Sequence, residues 1–227
     1  MVTWPARPDT RDSEDADASG ILRSRIDLSW LPPFSQAVTE RVICATGDLG
    51  YATDLICHED SLAAGAAALA AGAPVVADVP MVAAGVSGRP AICKSEEPLA
   101  ERLARTAGID AAAAAVRLAF GEAGPGALWI VGVAQQAIYE IISRGVQPAL
   151  VIGMPAGLAG AAEAKSALRC SGLPALTNVS AKGGPGPAVA GCLALLREVL
   201  GSLPAGQDSR RPGQPRRGLT TYRPQAR

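Results

Sequence analysis

Two glycine-rich stretches contain the residues of this chain that best suit the binding of an anion. In "GMPAGLAGAAEAK", Gly157 and Gly160 precede an Ala-rich helical stretch, and in "SAKGGPG", Lys182 precedes Gly183 and Gly184. Backbone N–H groups at a helix N-terminus favour phosphate or carboxylate, and the lysine adds a positive charge. Neither stretch has the spacing of a Walker A loop or a dinucleotide fingerprint. The two loops therefore predict a ligand with several anionic groups, and tight strand-to-helix turns remain the alternative for each.

A third stretch, "RVICATGDLGYA", places thiol, hydroxyl and carboxylate groups where a helix is expected to run into a loop. Outside it, Asp78 ends an apolar run, where either a ligand-facing carboxylate or a helix N-cap is expected.

The composition excludes several classes of site. The only histidine, His58 in "CHEDSL", is expected on the surface at a helix start, and the five cysteines contain no CxxC pair. We therefore predict no zinc site and no nucleophilic triad. Lys and Arg total 21, as do Asp and Glu, which points to no nucleic-acid partner and no membrane partner. Free thiols, and the lack of an apolar run of about 18 residues, predict a cytoplasmic protein.

The elements that position these residues follow an alternating pattern. Ala-rich helical stretches precede the short apolar runs "PVVAD", "ALWIVG", "PALVIG" and "PALTNV", each of which ends near Gly, Asp or Asn. This order predicts a three-layer α/β/α fold with a mainly parallel sheet, in which ligands bind at the carboxyl ends of the strands. Met81 is expected in the core. Residues 1–19 and 204–227 are too polar to offset their ordering entropy, so we expect one domain over 20–203 between disordered ends, the second of them basic.

Four stretches together resemble one family. They are "RVICATGDLGYA", "AGAPVVADVPMVAAGV", "VIGMPAGLAGAAEAKSAL" and "AKGGPGPAVAGCLALL", and the resemblance to precorrin-8X and cobalt-precorrin-8 methylmutases runs from Asp27 to Leu200. It implies a dimeric α/β isomerase of cobalamin biosynthesis that moves a methyl group from C11 to C12 of a tetrapyrrole without a separate cofactor. It also implies that Thr46, Gly47, Asp48 and Tyr51, together with Met154 of the most specific stretch, belong to the substrate-binding residues. The carboxylate side chains of such a substrate agree with anion-binding loops.

The chain departs from the family pattern at several positions. Cys44 stands where the family has a histidine thought to hydrogen bond to or protonate a ring nitrogen, and a thiol is a poor donor. Asp110 and Ala111 stand where the family has an arginine at a helix start. Val133 replaces an asparagine and Gln135 a proline, and Val179 and Ala181 replace two arginines.

Two interpretations follow from these departures. In one, the protein is a methylmutase in which Cys44, Asp48 or Tyr51 replaces the acid, or in which binding alone brings about the shift. In the other, it is a catalytically silent paralogue that binds a tetrapyrrole or another polycarboxylate, or an inactive partner subunit. A small buried thiol that fills the space of an imidazole is the structural alternative for Cys44.

Overall fold

A six-stranded sheet forms the centre of the computed structural model, which describes residues 11–86 and 89–202. Its strand order is β1-β6-β5-β4-β2-β3, with β1 antiparallel to β6 and every other pair parallel. The strands are β1 Leu55–Cys57, β2 Val75–Ala77, β3 Ala91–Ile92, β4 Leu128–Val131, β5 Leu150–Gly153 and β6 Ala175–Asn178. The predicted mainly parallel sheet is confirmed, and the four apolar runs are β2, β4, β5 and β6.

Helices cover both faces of this sheet. They are α1 Arg11–Arg25, α2 Pro33–Thr46, α3 Tyr51–Asp54, α4 Glu59–Ala70, α5 Pro80–Gly85, α6 Pro98–Ala107, α7 Ala111–Ala123, α8 Gln135–Ser143, α9 Ala161–Cys170 and α10 Pro185–Ser202. Helices α2, α4, α5 and α10 pack on one face, and α7, α8 and α9 on the other. The predicted three-layer architecture is therefore confirmed.

Side-chain alternation along the strands divides the interior into two cores. In β4, Leu128 and Ile130 join the core beneath α2, α4 and α10, whereas Trp129 and Val131 join the core beneath α7 and α8. Successive residues of a strand point to opposite faces, so a strand covered on both faces is apolar throughout. Small helix residues allow close packing: a Cβ added to Gly65 of α4 would lie 2.7 Å from a methyl carbon of Leu150.

The chain termini differ in part from the expectation. Helix α1 begins at Arg11, so residues 11–19 are helical, and the predicted boundary at residue 20 falls inside a helix rather than before one. Residues 1–10 and 203–227, which include the basic tail, lie outside the described residues. Within the described ranges, no helix has the length and hydropathy that a membrane crossing requires.

The antiparallel edge strand decides where the site forms. Leu55, at the start of β1, pairs with Asn178, at the end of β6. The segment that precedes β1 therefore lies at the same sheet edge as the loops that follow the parallel strands. This edge is the one at which ligands of open α/β sheets bind.

Candidate functional site

The stretch that contains Cys44 and Asp48 is a helix end followed by a tight loop, as its sequence predicts. Gly47 ends α2 with φ +70°, and its N–H donates to the carbonyl of Ile43 at 2.7 Å. The Thr46 hydroxyl donates to the carbonyl of Val42 at 2.8 Å. These two predicted site residues close the helix and place Asp48 directly beyond its end.

Asp48 and Lys182 form the ion pair at the centre of the site. The Lys182 Nζ lies 2.9 Å from Asp48 Oδ2, 3.9 Å from Asp54 Oδ2 and 4.7 Å from the centroid of the Tyr51 ring. A lysine this close to an aromatic ring gains a cation–π interaction in addition to its ion pair. About two fifths of each of the Lys182 and Asp48 side chains remains exposed, so a ligand can reach both partners.

Asp48 and Tyr51 are poor proton donors in this arrangement. The hydrogen bond from Lys182, followed by that from the Gly50 amide, holds the pKa of Asp48 below its usual range. Burial, together with the charges of Asp54 and Asp48, raises the pKa of Tyr51 to about 12. Near neutral pH, Asp48 is ionised and has no proton to give, whereas Tyr51 holds its proton tightly. The structure therefore weighs against either residue as a replacement for the family's acid.

The two glycine-rich loops meet each other. Gly157 N–H donates to the carbonyl of Ala181 at 3.1 Å, and Gly184 N–H donates to the carbonyl of Met154 at 2.7 Å. At Gly183, φ is +152°, and a Cβ would collide with the carbonyl oxygens of Met154 and Pro155. Only glycine allows the backbones to approach this closely.

The Met154 side chain does not line the site. It is fully buried in the core beneath α10, and only the backbone of this residue reaches the joined loops. The methionine side chain fills core volume behind the loop, so only backbone atoms of Met154 are near the joined loops, and its place among the substrate-binding residues stays a prediction.

Gln135 covers the predicted anion site at the start of α9. Its Nε2 donates to the carbonyl of Ala159 at 3.0 Å, and the side-chain amide lies against Gly160, where a Cβ would collide with it. Gly160 adopts φ +79° as the N-cap of α9. The amide that replaces a proline of the family pattern thus joins the loop after β4 to the loop after β5, a contact that the sequence did not suggest.

Asp78 and Asp110 each accept backbone N–H groups, but only Asp110 caps a helix. Asp78 Oδ2 accepts the N–H groups of Val133 and Ala134, at 2.7 and 2.8 Å, at the entrance to α8. Its Oδ1 is buried and makes no hydrogen bond with the described residues. Asp110 accepts the N–H of Ala112 at 2.8 Å and is the N-cap of α7. Asp78 therefore caps neither α5 nor α8, whose N-cap residues are Val79 and Ala134, but fixes the loop between β4 and α8. A ligand-facing role for its carboxylate stays a prediction.

Cys44 lies half-buried in the last turn of α2, beside α1. It lines a cleft of about 210 Å³ between α1 and the end of α2, whose other residues include Ile21, Gly47 and Leu49. It also lines a polar cleft of about 170 Å³ with residues of α1, α10 and α2 itself, including Arg41 of α2. Neither cleft includes Asp48 or Lys182. The predicted site residues therefore separate into a thiol beside α1 and an ion pair at the sheet edge.

Exposed apolar side chains follow four neighbouring strands. Met81, Val133, Leu158 and Val179 come shortly after β2, β4, β5 and β6, and their exposed fractions range from 47% to complete exposure. We call these four residues the apolar row. The expectation that Met81 is a core residue is wrong, since it is 70% exposed in the first turn of α5.

Four residues behind the ion pair were not predicted as functional: Asp54, Lys165, Asn178 and Ser180. Asp54 accepts hydrogen bonds from the Ser180 amide and hydroxyl, at 2.8 and 2.7 Å, and from Asn178 Nδ2 at 2.9 Å. Burial acts to raise the pKa of Asp54, but these hydrogen bonds outweigh it and hold that pKa below its usual range. An asparagine at the end of a buried strand was the one sequence signal for this network.

Comparison with known proteins identifies the family. The family described as precorrin-8X methylmutase matches residues 16–198 of this chain. The chain belongs to the precorrin-8X methylmutase family. The matched residues include both glycine-rich loops, the ion pair and Cys44, so the family region contains the whole candidate site.

Individual members of the precorrin-8X methylmutase family agree with this assignment. The cobalt-precorrin-8 methylmutase of Salmonella typhimurium is 32% identical over 186 residues, which cover 78% of this chain and 89% of that protein. The precorrin-8X methylmutase of Pseudomonas aeruginosa is 34% identical over 189 residues, which cover 78% of this chain and 90% of that protein. A crystal structure of the Thermus thermophilus precorrin-8X methylmutase matches with a TM-score of 0.76 at 28% identity, over 86% of this chain and all of that chain.

The geometry adds two facts to this family membership. The described residues contain no group of three or more His, Cys, Asp and Glu side chains placed to hold a metal ion. The cationic group of the site is Lys182, in the second glycine-rich loop, and it lies at the sheet edge that also carries the apolar row.

Proposed function

We propose that this protein is a methylmutase-type isomerase that converts precorrin-8X, or its cobalt form, by moving a methyl group from C11 to C12. The observation that carries the proposal is that Lys182 and the apolar row both lie at the carboxyl ends of the strands. A corrin precursor is a largely apolar macrocycle with carboxylate side chains, and such a ligand suits one cation beside an apolar surface. Family membership supports the same conclusion.

The residues of the site have separate roles in this proposal. Lys182 donates to a substrate carboxylate and supplies a fixed positive charge, and Asp48 holds its ammonium in place at 2.9 Å. Val133, Leu158 and their neighbours in the apolar row contact the face of the macrocycle. Because the migration is intramolecular, substrate and product contain the same atoms, and the protein has to bind, orient and polarise the ring. No separate cofactor is needed for that work.

Cys44 occupies the place of the family's histidine and belongs to the proposal as a contact rather than as a strong acid. A thiol is a weak hydrogen-bond donor and carries no positive charge. Protonation of a ring nitrogen then depends less on the protein than in members with histidine. Turnover slower than in those members is the consequence, and a protein that binds the pigment without converting it is the competing outcome.

A homodimer in the cytoplasm is part of the same proposal. The two clefts beside Cys44, of about 210 and 170 Å³, are smaller than the roughly 300 to 1,000 Å³ that pockets for drug-sized ligands occupy. A second copy of the chain packed against this face would enlarge the enclosure and bring Cys44 and the ion pair to one ligand. The five cysteines are unpaired in the structure, which supports a reducing compartment.

The test is a titration of the purified full chain with cobalt-precorrin-8, followed in the absorbance spectrum and then by NMR of the extracted pigment. NMR is needed because an isomer has the mass of its substrate. We expect a bound spectrum that changes to that of the rearranged pigment, whose methyl group has moved to C12. A bound but unchanged pigment would replace the isomerase with the silent paralogue, and no binding would overturn both.

A further inference from the structure

Lys165 is a fully buried lysine one turn into α9, and its ammonium group is directed at a single loop. The side chain has no exposed surface. Its Nζ donates to Asn178 Oδ1 at 3.0 Å, to the carbonyl of Lys182 at 2.7 Å and to the carbonyl of Ser180. An ammonium has three protons, and all three have acceptors here.

The three acceptors belong to residues 178–182, the segment that ends with the lysine of the ion pair. Asn178 Nδ2 also donates to the carbonyl of Lys182, at 2.9 Å, and to Asp54 Oδ2 at the same distance. The main chain that leaves β6 is therefore bound on one side by Lys165 and on the other by Asp54. Two of the three oxygens that Lys165 contacts are backbone carbonyl oxygens of the segment after β6, and one of these two belongs to Lys182.

The placement of this loop determines where the Lys182 side chain points. Gly183 brings the loop against the carbonyls of Met154 and Pro155, so it has little freedom on that side. The contacts of Lys165 fix the other side. A shift of the Lys182 carbonyl would change the origin of the side chain that reaches Asp48.

We infer that Lys165 is a positioning residue: its charged ammonium holds residues 178–182 in the conformation that directs Lys182 toward Asp48 and the ligand. The part of this inference that concerns a ligand rests on the proposed function. The part that concerns the loop does not, because every contact involved lies within the chain.

If the charge of Lys165 holds the loop, the conformation of the loop should depend on pH, which a purely packing role would not require. Burial lowers the pKa of Lys165 to about 8, the Asp54 charge acts to raise it, and the Arg169 charge acts to lower it. Arg169 itself donates to the carbonyl of Asn178 at 3.0 Å. A neutral amine has two protons, so above that pH one of the three oxygens loses its donor. The loop should therefore loosen as the pH rises.

Hydrogen exchange of the full-length chain without ligand tests the inference. We compare wild type with Lys165→Met, Lys165→Arg and the control Lys94→Met. Lys94 is a suitable control because it is a mostly buried lysine whose Nζ pairs with Glu97 and Glu122 after the outermost strand β3, which β5, β4 and β2 separate from β6. Exchange is followed in peptides over 178–184 and, as a reference, in peptides over β4 and β5.

We expect Lys165→Met to speed exchange in 178–184 about tenfold or more and to leave β4 and β5 unchanged, with no effect of Lys94→Met on 178–184. Lys165→Arg, which keeps a charge in a different shape, should fall between wild type and Lys165→Met. In wild type, protection of 178–184 should fall from about pH 7 to about pH 9 after correction for intrinsic exchange.

Unchanged exchange in 178–184 of a folded Lys165→Met protein would overturn the inference, as would an equal increase over 178–184 and the core strands. The wild-type pH series needs no substitution, so it decides the matter even where a variant does not fold: protection of 178–184 that stays flat up to the pH at which β4 and β5 lose theirs overturns the inference. Loop loosening in a chain that binds no tetrapyrrole would uphold the inference and overturn the proposed function alone.

Discussion

Lys182 and Asp48 are 134 residues apart in sequence, yet Lys182 Nζ lies 2.9 Å from Asp48 Oδ2. The two residues belong to different loops at the carboxyl ends of the strands. This contact forms because the antiparallel strand β1 returns the chain to the carboxyl end of β6. The pair is partly exposed, so its contribution to folding stability is small. Its value lies in holding a cation at a ligand-accessible place.

Removal of the Lys182 charge should weaken ligand binding. We expect Lys182→Met to reduce the affinity for cobalt-precorrin-8 about 10- to 100-fold, because a hydrogen bond to a charged group contributes about 1.5 to 3 kcal/mol. Lys182→Arg should retain most of the affinity, and Lys94→Met, beside the outermost strand β3, should match wild type. The measurement is a spectral titration at two salt concentrations, and equal affinities for Lys182→Met and wild type would remove Lys182 from the site.

Gly50 leaves room for the ion pair. A Cβ at this position would lie 2.8 Å from Lys182 Nζ and 2.9 Å from Asp48 Oδ1, while its φ of −61° suits any residue. We expect Gly50→Ala to displace the two side chains and lower ligand affinity, with a change in unfolding free energy below about 1 kcal/mol. Gly121→Ala, where a Cβ meets nothing within 4 Å, is the matched control. Urea unfolding and ligand titration of both variants check this, and equal affinities would contradict it.

Asp78 should be worth more to stability than its place beside the site suggests. Asp78→Ala leaves the N–H groups of Val133 and Ala134 without their acceptor, which costs about 1 to 3 kcal/mol. Asp60→Ala, which removes an exposed carboxylate from the first turn of α4, should cost less than about 1 kcal/mol. Denaturant unfolding measures both, and equal losses would show that the two hydrogen bonds of Asp78 contribute little.

Asp54 should contribute to the loss of folding stability as the pH falls into the acid range. Its pKa is lowered in the folded state, so its contribution is fully present above its unfolded pKa of about 4 and is lost as the pH falls through the lower folded value. Asp54→Asn should reduce stability at neutral pH and flatten its fall between about pH 4 and pH 2. Asp60→Asn serves as the control, and thermal unfolding across this range is the measurement. An unchanged loss of stability across this range in Asp54→Asn would refute the assignment.

Cys44→His should increase turnover. An imidazole has a reference pKa of about 6.5 and supplies the donor that the thiol lacks, and general acids contribute about 10² to 10⁴ in rate. Cys170→Ser, at an exposed cysteine outside the site, controls for the loss of a thiol. A rate that stays the same in Cys44→His would mean that Cys44 lies away from the reacting ring or that the other changed positions limit the reaction.

The sequence was sufficient to predict the frame of the fold but only part of the site. Strands β2, β4, β5 and β6 were predictable because each is a short apolar run between glycine or proline signals. Strands β1 and β3, of three and two residues, are too short to give a periodic pattern. Without β1, nothing in the sequence joins Asp48 to Lys182.

Burial was the other property that the sequence left open. Lys165 is charged and Met81 is apolar, yet the lysine is fully buried and the methionine is 70% exposed. The lysine can be buried only because three oxygens from a distant loop accept its protons, and the methionine is exposed because its helix starts at the sheet edge. Met154 was placed in the site for its position in a motif, although its side chain completes the core.

The most direct measurement is a single-turnover reaction of the wild-type chain, in excess over cobalt-precorrin-8, followed by absorbance and by NMR of the product methyl groups. The account predicts conversion to the pigment with its methyl group at C12, at a rate that Cys44→His increases and that Lys182→Met decreases. A bound pigment that stays unchanged in wild type and in Cys44→His would contradict the account, because the family fold would then bind this substrate without performing the shift.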